Sequence, residues 1–212
     1  LGDNLSEKSQ NYLDRITASS NRMLNLVKGV LNFSQLSKKG QPFEKVDLNA
    51  ILDSVKDDFE LLISEKEASI TSTPLPVVEG LSLQLNQLFA NLISNSLKFT
   101  IPGKKPVIQI TATLLPSKDV AEQYHFLSPH ASYCRIEWKD NGIGFEQVYG
   151  ERIFALFQRL HGKHEYSGTG IGLALCKKIV LNHHGHIYAS SRPGEGAVFG
   201  VILPLEQPAE EK

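Results

Sequence analysis

Residues 82–100, SLQLNQLFANLISNSLKFT, form the stretch on which the fold assignment depends. Apolar residues recur there every three or four positions, which predicts one amphipathic helix over residues 82–99. The apolar positions are Leu85, Leu88, Phe89, Leu92, Ile93 and Leu97. Asn91, Asn95 and Lys98 share one face of this helix, where an amide oxygen could ligate a divalent cation and the ammonium could contact a phosphate. Taken alone, these three residues are better explained as a polar helix face in water.

The composition excludes several classes of protein. The chain has 212 residues, 41% of them hydrophobic, which is enough for a core that needs neither disulfides nor metal. Its 22 basic and 23 acidic residues nearly cancel, which argues against a broad nucleic-acid-binding surface. The two cysteines, Cys134 and Cys176, form no disulfide framework or metal motif, as is typical of a reducing, cytosolic compartment. No apolar run approaches the ~18 residues of a membrane span.

A long helix is predicted upstream, over residues 5–36. Its apolar stripe comprises Leu5, Tyr12, Leu13, Ile16, Met23, Leu24, Leu26, Val27, Val30, Leu31 and Phe33. Such a stripe packs against another surface, so we expect it to dock on the following domain, on a second copy, or on a segment outside this chain. Met23 is the only methionine, and we therefore expect the sequence to be part of a longer protein.

The remaining segments predict an α/β unit. Asp47 is the expected N-cap of one helix, and another helix follows Gly172 and extends to Asn182. Strands are predicted at residues 69–73, 107–115, 133–139, 186–191 and 197–203. Residues 116–132 predict an irregular insertion, long for an ordinary loop, and residues 204–212 a polar tail.

The sequence contains two glycine clusters: one follows a predicted strand, and the other begins a predicted helix. Asp140-Asn141-Gly142-Ile143-Gly144 ends a strand, and its carboxylate suits the amino group of a purine, although a tight turn explains the motif equally well. Gly168-Thr169-Gly170-Ile171-Gly172-Leu173 opens a helix, whose first N–H groups attract anions. This second cluster matches neither of the usual phosphate-binding fingerprints.

An aromatic segment, IFALFQRL at residues 153–160, lies between the two clusters. Phe154, Phe157 and Arg159 predict a hinge or latch beside a flexible segment, and the alternative is a short core helix.

The order of these four motifs resembles the catalytic ATP-binding domain of the sensor histidine kinases of two-component systems. The closing Gly194-Glu195-Gly196-Ala197-Val198-Phe199 also matches, and residues 160–180 resemble the phytochrome-type subgroup. The resemblance covers about residues 44–205. It implies an α+β fold: a two-layer α/β sandwich, with a mixed sheet backed by helices as in gyrase-type ATPases, preceded by one long helix.

The resemblance also implies roles for single residues. Asn95 would hold Mg²⁺ with Asn91 beside it, Lys98 would contact phosphate, and Arg159 would reach the γ-phosphate; Asn95, Lys98 and Arg159 are thus the catalytic candidates. Asp140 would bind the adenine amino group. The other residues expected at the nucleotide are Gly142, Gly144, Phe157, Gly168, Thr169, Gly170, Gly172 and Leu173. A mobile lid would cover about residues 145–167.

The first helix resembles the second helix of the dimerisation and phosphoacceptor hairpin. The implied domains are residues 1–40 for this helix, 41–206 for the catalytic ATP-binding domain and 207–212 for the tail. The family's acceptor, a histidine followed by an acid on the preceding helix, has no counterpart here, since His164-Glu165 falls in the predicted lid. We expect His183, His184 and His186 to be surface or packing residues. Leu81 stands where the family usually has Asp, so we expect Ser82 to cap the next helix.

The function implied is an enzyme, a protein histidine kinase. It would transfer the γ-phosphate of ATP, with Mg²⁺, to a histidine on the missing helix for relay to a response regulator receiver domain. We expect a homodimer of the full-length protein, a cytoplasmic location and no nucleic-acid partner. The alternatives are a related gyrase-type ATPase or serine kinase regulator, and a nucleotide-blind dimerisation scaffold. The first of these usually carries a Glu on the helix at residues 82–100, where this sequence has no acid.

Overall fold

The computed structural model describes residues 7–36, 42–116, 120, 127, 132–160 and 169–208. The α-helices are α1 (Glu7–Gln35), α2 (Leu48–Asp58), α3 (Glu60–Glu65), α4 (Ser82–Lys98) and α5 (Gly172–Asn182). The strands are β1 (Glu44–Asp47), β2 (Ser69–Ser72), β3 (Val77–Gly80), β4 (Val107–Leu115), β5 (Tyr133–Asp140), β6 (His186–Arg192) and β7 (Gly196–Pro204). Two 3-10 turns, Gln147–Tyr149 and Arg152–Phe154, follow β5.

The main sheet has five strands in the order β2-β4-β5-β7-β6. β2 is parallel to β4, and the other neighbours are antiparallel, so the sheet is mixed as expected. β1 and β3 form a separate antiparallel pair, which the sequence analysis did not predict. Each of these two strands has only four residues, too few for a recognisable alternation.

Helices α2, α4 and α5 form the second layer, against one face of the main sheet. The six apolar positions of α4 named above are all 0% exposed. Phe89 of α4 meets Trp138 of β5 edge to face, with 5.0 Å between ring centroids. The predicted fold class, a mixed sheet backed by helices and preceded by a long helix, is confirmed.

A smaller apolar cluster covers the opposite face of the sheet at one end. Val120 and Leu127, both buried, pack there with Tyr133 and Ile202. These two residues belong to the predicted insertion at 116–132, of which residues 117–119, 121–126 and 128–131 lie outside the described residues. The described part of the insertion thus contributes apolar side chains to a core.

Helix α1 presents two different apolar faces. Most side chains of its predicted stripe are exposed, from 45% at Val30 to 67% at Met23. Two stripe residues, Leu26 and Phe33, are partly buried, and together with Gly29 and Leu36 they form what we call the docking face. The spacing of three, four and three places these residues on one side of the helix. The docking face contacts the domain that follows, which is one of the three destinations expected for the stripe. Most of the stripe is not covered by the described residues.

The helix starts agree with one predicted cap and contradict another. Asp47 caps α2, because its Oδ1 accepts the N–H of Asn49 at 2.8 Å. Ser82 does not cap α4: Leu81 is the N-cap residue and makes no side-chain cap bond. Instead, the N–H of Leu81 donates to Nε2 of His183 at 3.0 Å, so a distant histidine ties down the start of α4.

In the part of the chain that the structure describes, the helices are too short or too polar to cross a membrane.

Candidate functional site

A cavity of about 420 Å³ lies where α4, the end of β5 and the start of α5 meet. Nine of the residues predicted at the nucleotide line it: Asn95, Lys98, Asp140, Gly144, Arg159, Thr169, Gly170, Gly172 and Leu173. Nine further lining residues were not predicted: Ser94, Phe99, Ile143, Phe145, Ile153, Gln158, Leu160, Ala197 and Phe199. The fold therefore gathers residues from four separate sequence motifs around one space.

Three predicted residues lie beside the cavity rather than in its lining, and a fourth, Gly168, falls outside the described residues. Asn91 lies against the start of α5, where a Cβ at Gly172 would come within 3.4 Å of its Oδ1. Gly142 packs so closely on the carbonyl of Phe99 that a Cβ would collide with it. Phe157 is 54% exposed and has a φ of +63°, which is rare for an aromatic residue.

Asp140 terminates β5 as a buried carboxylate. Its Oδ1 accepts the N–H of Gly142 at 2.9 Å and that of Ala197 at 3.1 Å, while Oδ2 accepts the hydroxyl of Ser96 at 3.3 Å. Burial raises the pKa of Asp140 above its ordinary value, and these three hydrogen bonds oppose the rise. The carboxylate is thus held in a fixed orientation at the cavity wall.

Ser96 connects two of the motifs. It lies on α4 directly after Asn95, is only 3% exposed and reaches Asp140 on β5. Its position in the helix turns its side chain toward the sheet, and Asn95 lines the cavity. The sequence analysis missed Ser96 because a serine within an apolar helix pattern has no distinguishing spacing.

Two cations line the cavity, Lys98 and Arg159. Burial lowers the pKa of Lys98 below its ordinary value, and the nearby charge of Arg159 lowers it further. The Lys98 ammonium also lies 4.5 Å from the ring centroid of Phe99. Asp140 is the only acid among the described lining residues, so the lining carries more positive than negative charge.

The second glycine cluster forms the loop that leads into α5. Gly170 has a φ of +73°, a conformation that side chains rarely adopt, and its carbonyl accepts the N–H of Phe157 at 3.0 Å. Ile171 is the N-cap residue of α5, and Gly172 is its first residue. The aromatic segment at residues 153–160 therefore lies against this loop, and Ile153 and Phe154 of its 3-10 turn are buried in the core.

Asn141 has a structural role in the first glycine cluster. Its Oδ1 accepts the N–H of Val107 at 2.9 Å, and its Nδ2 donates to the carbonyl of Lys105 at 3.0 Å. These bonds join the turn after β5 to the segment that enters β4. Part of the Asp-Asn-Gly-Ile-Gly motif thus serves the turn and not the cavity.

The donor set fits a nucleotide with Mg²⁺. Among the described residues, no group of three or more His, Cys, Asp or Glu side chains could hold a metal ion. The available protein ligands are amide oxygens, and Mg²⁺ bound with phosphates commonly takes one or two protein ligands and several waters. Among the described residues, the Nδ2 of Asn91 is buried without a hydrogen-bond partner, and as a donor it suits an oxygen of the nucleotide rather than the ion.

Comparison with known proteins identifies a matching family and similar curated proteins. The family described as "Histidine kinase-, DNA gyrase B-, and HSP90-like ATPase" matches residues 80–207. Cyanobacterial phytochrome A of Nostoc sp. is 35% identical over 207 residues, which are 96% of this chain and 24% of the relative. Phytochrome-like protein Cph1 of Synechocystis sp. is 33% identical over 201 residues, 95% of this chain and 25% of the relative. The chain thus spans about a quarter of the length of these relatives.

Solved structures share the fold at lower identity. Full-length ShkA in complex with AMPPNP has a TM-score of 0.69 at 24% identity, covering 97% of this chain and 41% of that one. The nucleotide-free catalytic domain of histidine kinase ThkA has a TM-score of 0.59 at 23% identity, covering 78% and 99%. ThkA in complex with the response regulator protein TrrA has a TM-score of 0.65 at 21% identity, covering 99% and 54%.

Proposed function

Because the chain belongs to the histidine kinase-, DNA gyrase B- and HSP90-like ATPase family, we propose that it binds ATP with Mg²⁺ and transfers the γ-phosphate to a histidine of a sensor kinase. The relatives reported above include phytochromes of cyanobacteria, and the sequence resemblance is to the same subgroup. The observation that carries the proposal is a single cavity that joins a buried carboxylate, two cations and a glycine loop at a helix start.

Asp140 would bind the base. A carboxylate is an acceptor only, so it selects a ligand that presents N–H groups, such as the amino group of adenine. Its Oδ1 already accepts two backbone N–H groups, whereas within the described part of the chain Oδ2 accepts only the Ser96 hydroxyl. Oδ2 therefore has capacity for a ligand donor, and the rigid environment fixes its direction.

The positive part of the lining would bind the phosphates. Lys98 and Arg159 would neutralise phosphate charge, which together with positioning is most of what phosphoryl transfer requires of a protein. The backbone N–H groups of Gly170 and Gly172 would bind phosphate oxygens at the start of α5. Asn95 would hold Mg²⁺, with Asn91 beside it, and the bound ion would add charge neutralisation at the phosphates.

The acceptor and the receiver lie beyond the residues of the site. Helix α1 contains no histidine, so we propose transfer to a histidine on another helix and then to a response regulator receiver domain, the class of partner present in the ThkA–TrrA complex. The exposed stripe of α1 supports pairing of two copies. The buried, unpaired Cys134 and Cys176 agree with a cytoplasmic location.

A titration with labelled ATP tests the nucleotide site. The wild-type chain should bind ATP more tightly with Mg²⁺ than without it, and Asp140→Asn should weaken binding at least about tenfold. The amide oxygen of the variant can keep the bonds to Gly142 and Ala197, so the turn is preserved. The other carboxylate oxygen becomes an amide nitrogen, which donates instead of accepting. Asp14→Asn on α1 is the matched control and should bind as wild type does. Unaltered affinity in Asp140→Asn, or no binding by the wild type, would contradict the proposal and favour a nucleotide-blind scaffold.

A second measurement tests the transfer. Radiolabelled ATP should not label the 212-residue chain alone, because no histidine on α1 can present itself in line with the γ-phosphate. A separate helical hairpin that carries a histidine followed by an acid should become labelled when it is added, and acid should remove the label. Strong labelling of the chain alone, or no transfer to such hairpins despite ATP binding, would contradict the kinase assignment.

A further inference from the structure

The docking face of α1 contains a glycine in the interior of a 29-residue helix. Glycine at such a position costs about 1 kcal/mol relative to alanine, so a packing reason is expected. The reason is contact with Ile171: a Cβ added at Gly29 would come within 2.6 Å of Cδ1 and 3.4 Å of Cγ2 of that side chain. Gly29 therefore lets the α1 backbone lie directly on Ile171.

Ile171 is the residue between Gly170 and Gly172, both of which line the cavity. It is only 3% exposed, and its carbonyl accepts the first hydrogen bond of α5, from the N–H of Leu175 at 2.9 Å. A movement of Ile171 would consequently displace the backbone of the two glycines and the start of α5. Gly29 is thus connected to the cavity lining through a single residue, Ile171.

The other end of the docking face, at Leu36, is also bonded to α5. Asn182, the last residue of α5, donates its Nδ2 to the carbonyl of Leu36 at 2.8 Å. Phe33 and Leu36 pack against the main core. The docking face accordingly contacts α5 at both ends, at Ile171 and at Asn182.

We propose that α1 positions the glycine loop: seating Gly29 on Ile171 holds residues 169–172 in the conformation that lines the cavity, so that docking of α1 and binding of nucleotide strengthen each other. This proposal rests on the proposed function for the identity of the ligand. Such coupling is reciprocal, because two events that favour the same conformation must each increase the affinity of the other by the same factor. A loop already held in place loses less conformational freedom when phosphate binds.

Substitutions of Gly29 provide the test. Gly29→Leu should displace α1 from Ile171 while favouring the helix itself, and Gly29→Ala should have a smaller effect, since the terminal atom of Ile171 can shift. Phe33→Glu removes docking by a different route, through its contact with the core. Ser20→Leu is the matched control, because Ser20 is exposed and lies nine residues from Gly29, which is about two and a half turns and places it on the opposite side of the helix.

Two measurements are made on each variant: ATP affinity with Mg²⁺, and amide hydrogen exchange at residues 170–175 without nucleotide. Gly29→Leu and Phe33→Glu should weaken ATP binding about fivefold or more and speed the exchange, and Ser20→Leu should stay within about twofold of wild type in both. ATP should in turn slow the exchange at residues 26–36 of the wild type. Affinity and exchange within twofold of wild type in both docking variants would overturn the proposal. If the wild type binds no ATP, the proposed function fails, and the exchange at residues 170–175 still decides whether α1 positions the loop.

Discussion

Helices α1 and α4 have similar apolar periodicity but different surroundings. The six apolar side chains of α4 are 0% exposed between α2, α5 and the sheet, whereas Leu13, Leu24 and Leu31 of α1 are 46%, 57% and 54% exposed. Both segments were predicted as helices, and both are helices. The difference teaches that periodicity predicts the element and its apolar face, while only the neighbouring chain segments determine whether that face is covered.

The polar faces of the two helices differ in the same way. Asn95 and Lys98 of α4 line a cavity with residues from β5, β7 and α5, and burial lowers the pKa of Lys98. Lys28 of α1 is exposed to solvent. The two lysines are of one residue type, and their tertiary neighbours give them different environments.

The largest expected effect is on stability, and it compares the same substitution in the two helices. Leu92→Ala in α4 should lower the free energy of unfolding by about 2–5 kcal/mol, because it removes a fully buried side chain and leaves a cavity. Leu24→Ala in α1 should change it by less than about 0.5 kcal/mol. Urea unfolding of both variants at low protein concentration measures the two values. A comparable loss in Leu24→Ala would mean that the stripe of α1 is covered in solution.

The next effect is on nucleotide affinity. Lys98→Ala should weaken ATP binding about tenfold, because it removes a cation from the cavity lining, whereas Lys28→Ala should leave the affinity unchanged. Isothermal titration of both variants with ATP and Mg²⁺ gives the comparison. Equal losses in the two variants would indicate a general charge effect and argue against a specific phosphate contact.

The smallest expected effect concerns pH and the start of α4. His183 is buried; its Nδ1 donates to the carbonyl of Ile179 at 2.8 Å, and its Nε2 accepts the N–H of Leu81 at 3.0 Å. Burial lowers the pKa of His183 below 6.5, and the charge of neighbouring His184 lowers it further. The unfolded chain therefore binds more protons between the two pKa values, and stability should be full above about pH 6.5 and fall as the pH decreases toward the folded pKa.

The expected result is a free energy of unfolding that falls progressively as the pH decreases below about 6.5, measured by urea unfolding at each pH. His183→Gln should flatten this dependence, whereas His184→Gln, a substitution at the exposed neighbour, should retain most of it. A dependence that is unchanged in His183→Gln would assign the titration to another group, such as His186, whose pKa is also lowered by burial.

Much of the fold was predictable because its signals are local. The apolar spacing of α4, the cap at Asp47 and the alternation in β4 each involve residues within a few positions of one another. The β1–β3 pair was missed, since Val46 and Val78 meet only in the folded chain. The prediction that Ser82 caps α4 was wrong, because a histidine from the end of α5 binds the N–H of Leu81 instead.

The site was predictable in its motifs and less so in its contacts. Asp140 was identified from its position at a strand end before glycines, but Ser96 and Ala197, which orient its carboxylate, come from a helix and a strand far away in the chain. Phe157 was expected at the nucleotide and lies outside the cavity lining, with its ring largely exposed. An aromatic residue in a motif does not reveal the backbone angle that turns its ring outward.

The sequence by itself determined the long helices, the strands of the main sheet, the family and the motif residues of this protein, because each of these depends on residue types at short, regular spacing. The tertiary structure alone decided which face of α1 docks, which residues orient Asp140, and that Gly29 meets Ile171. The physical reason is that contacts between distant segments depend on how whole elements pack. Close packing leaves no room for a side chain at one position and accommodates one at the next.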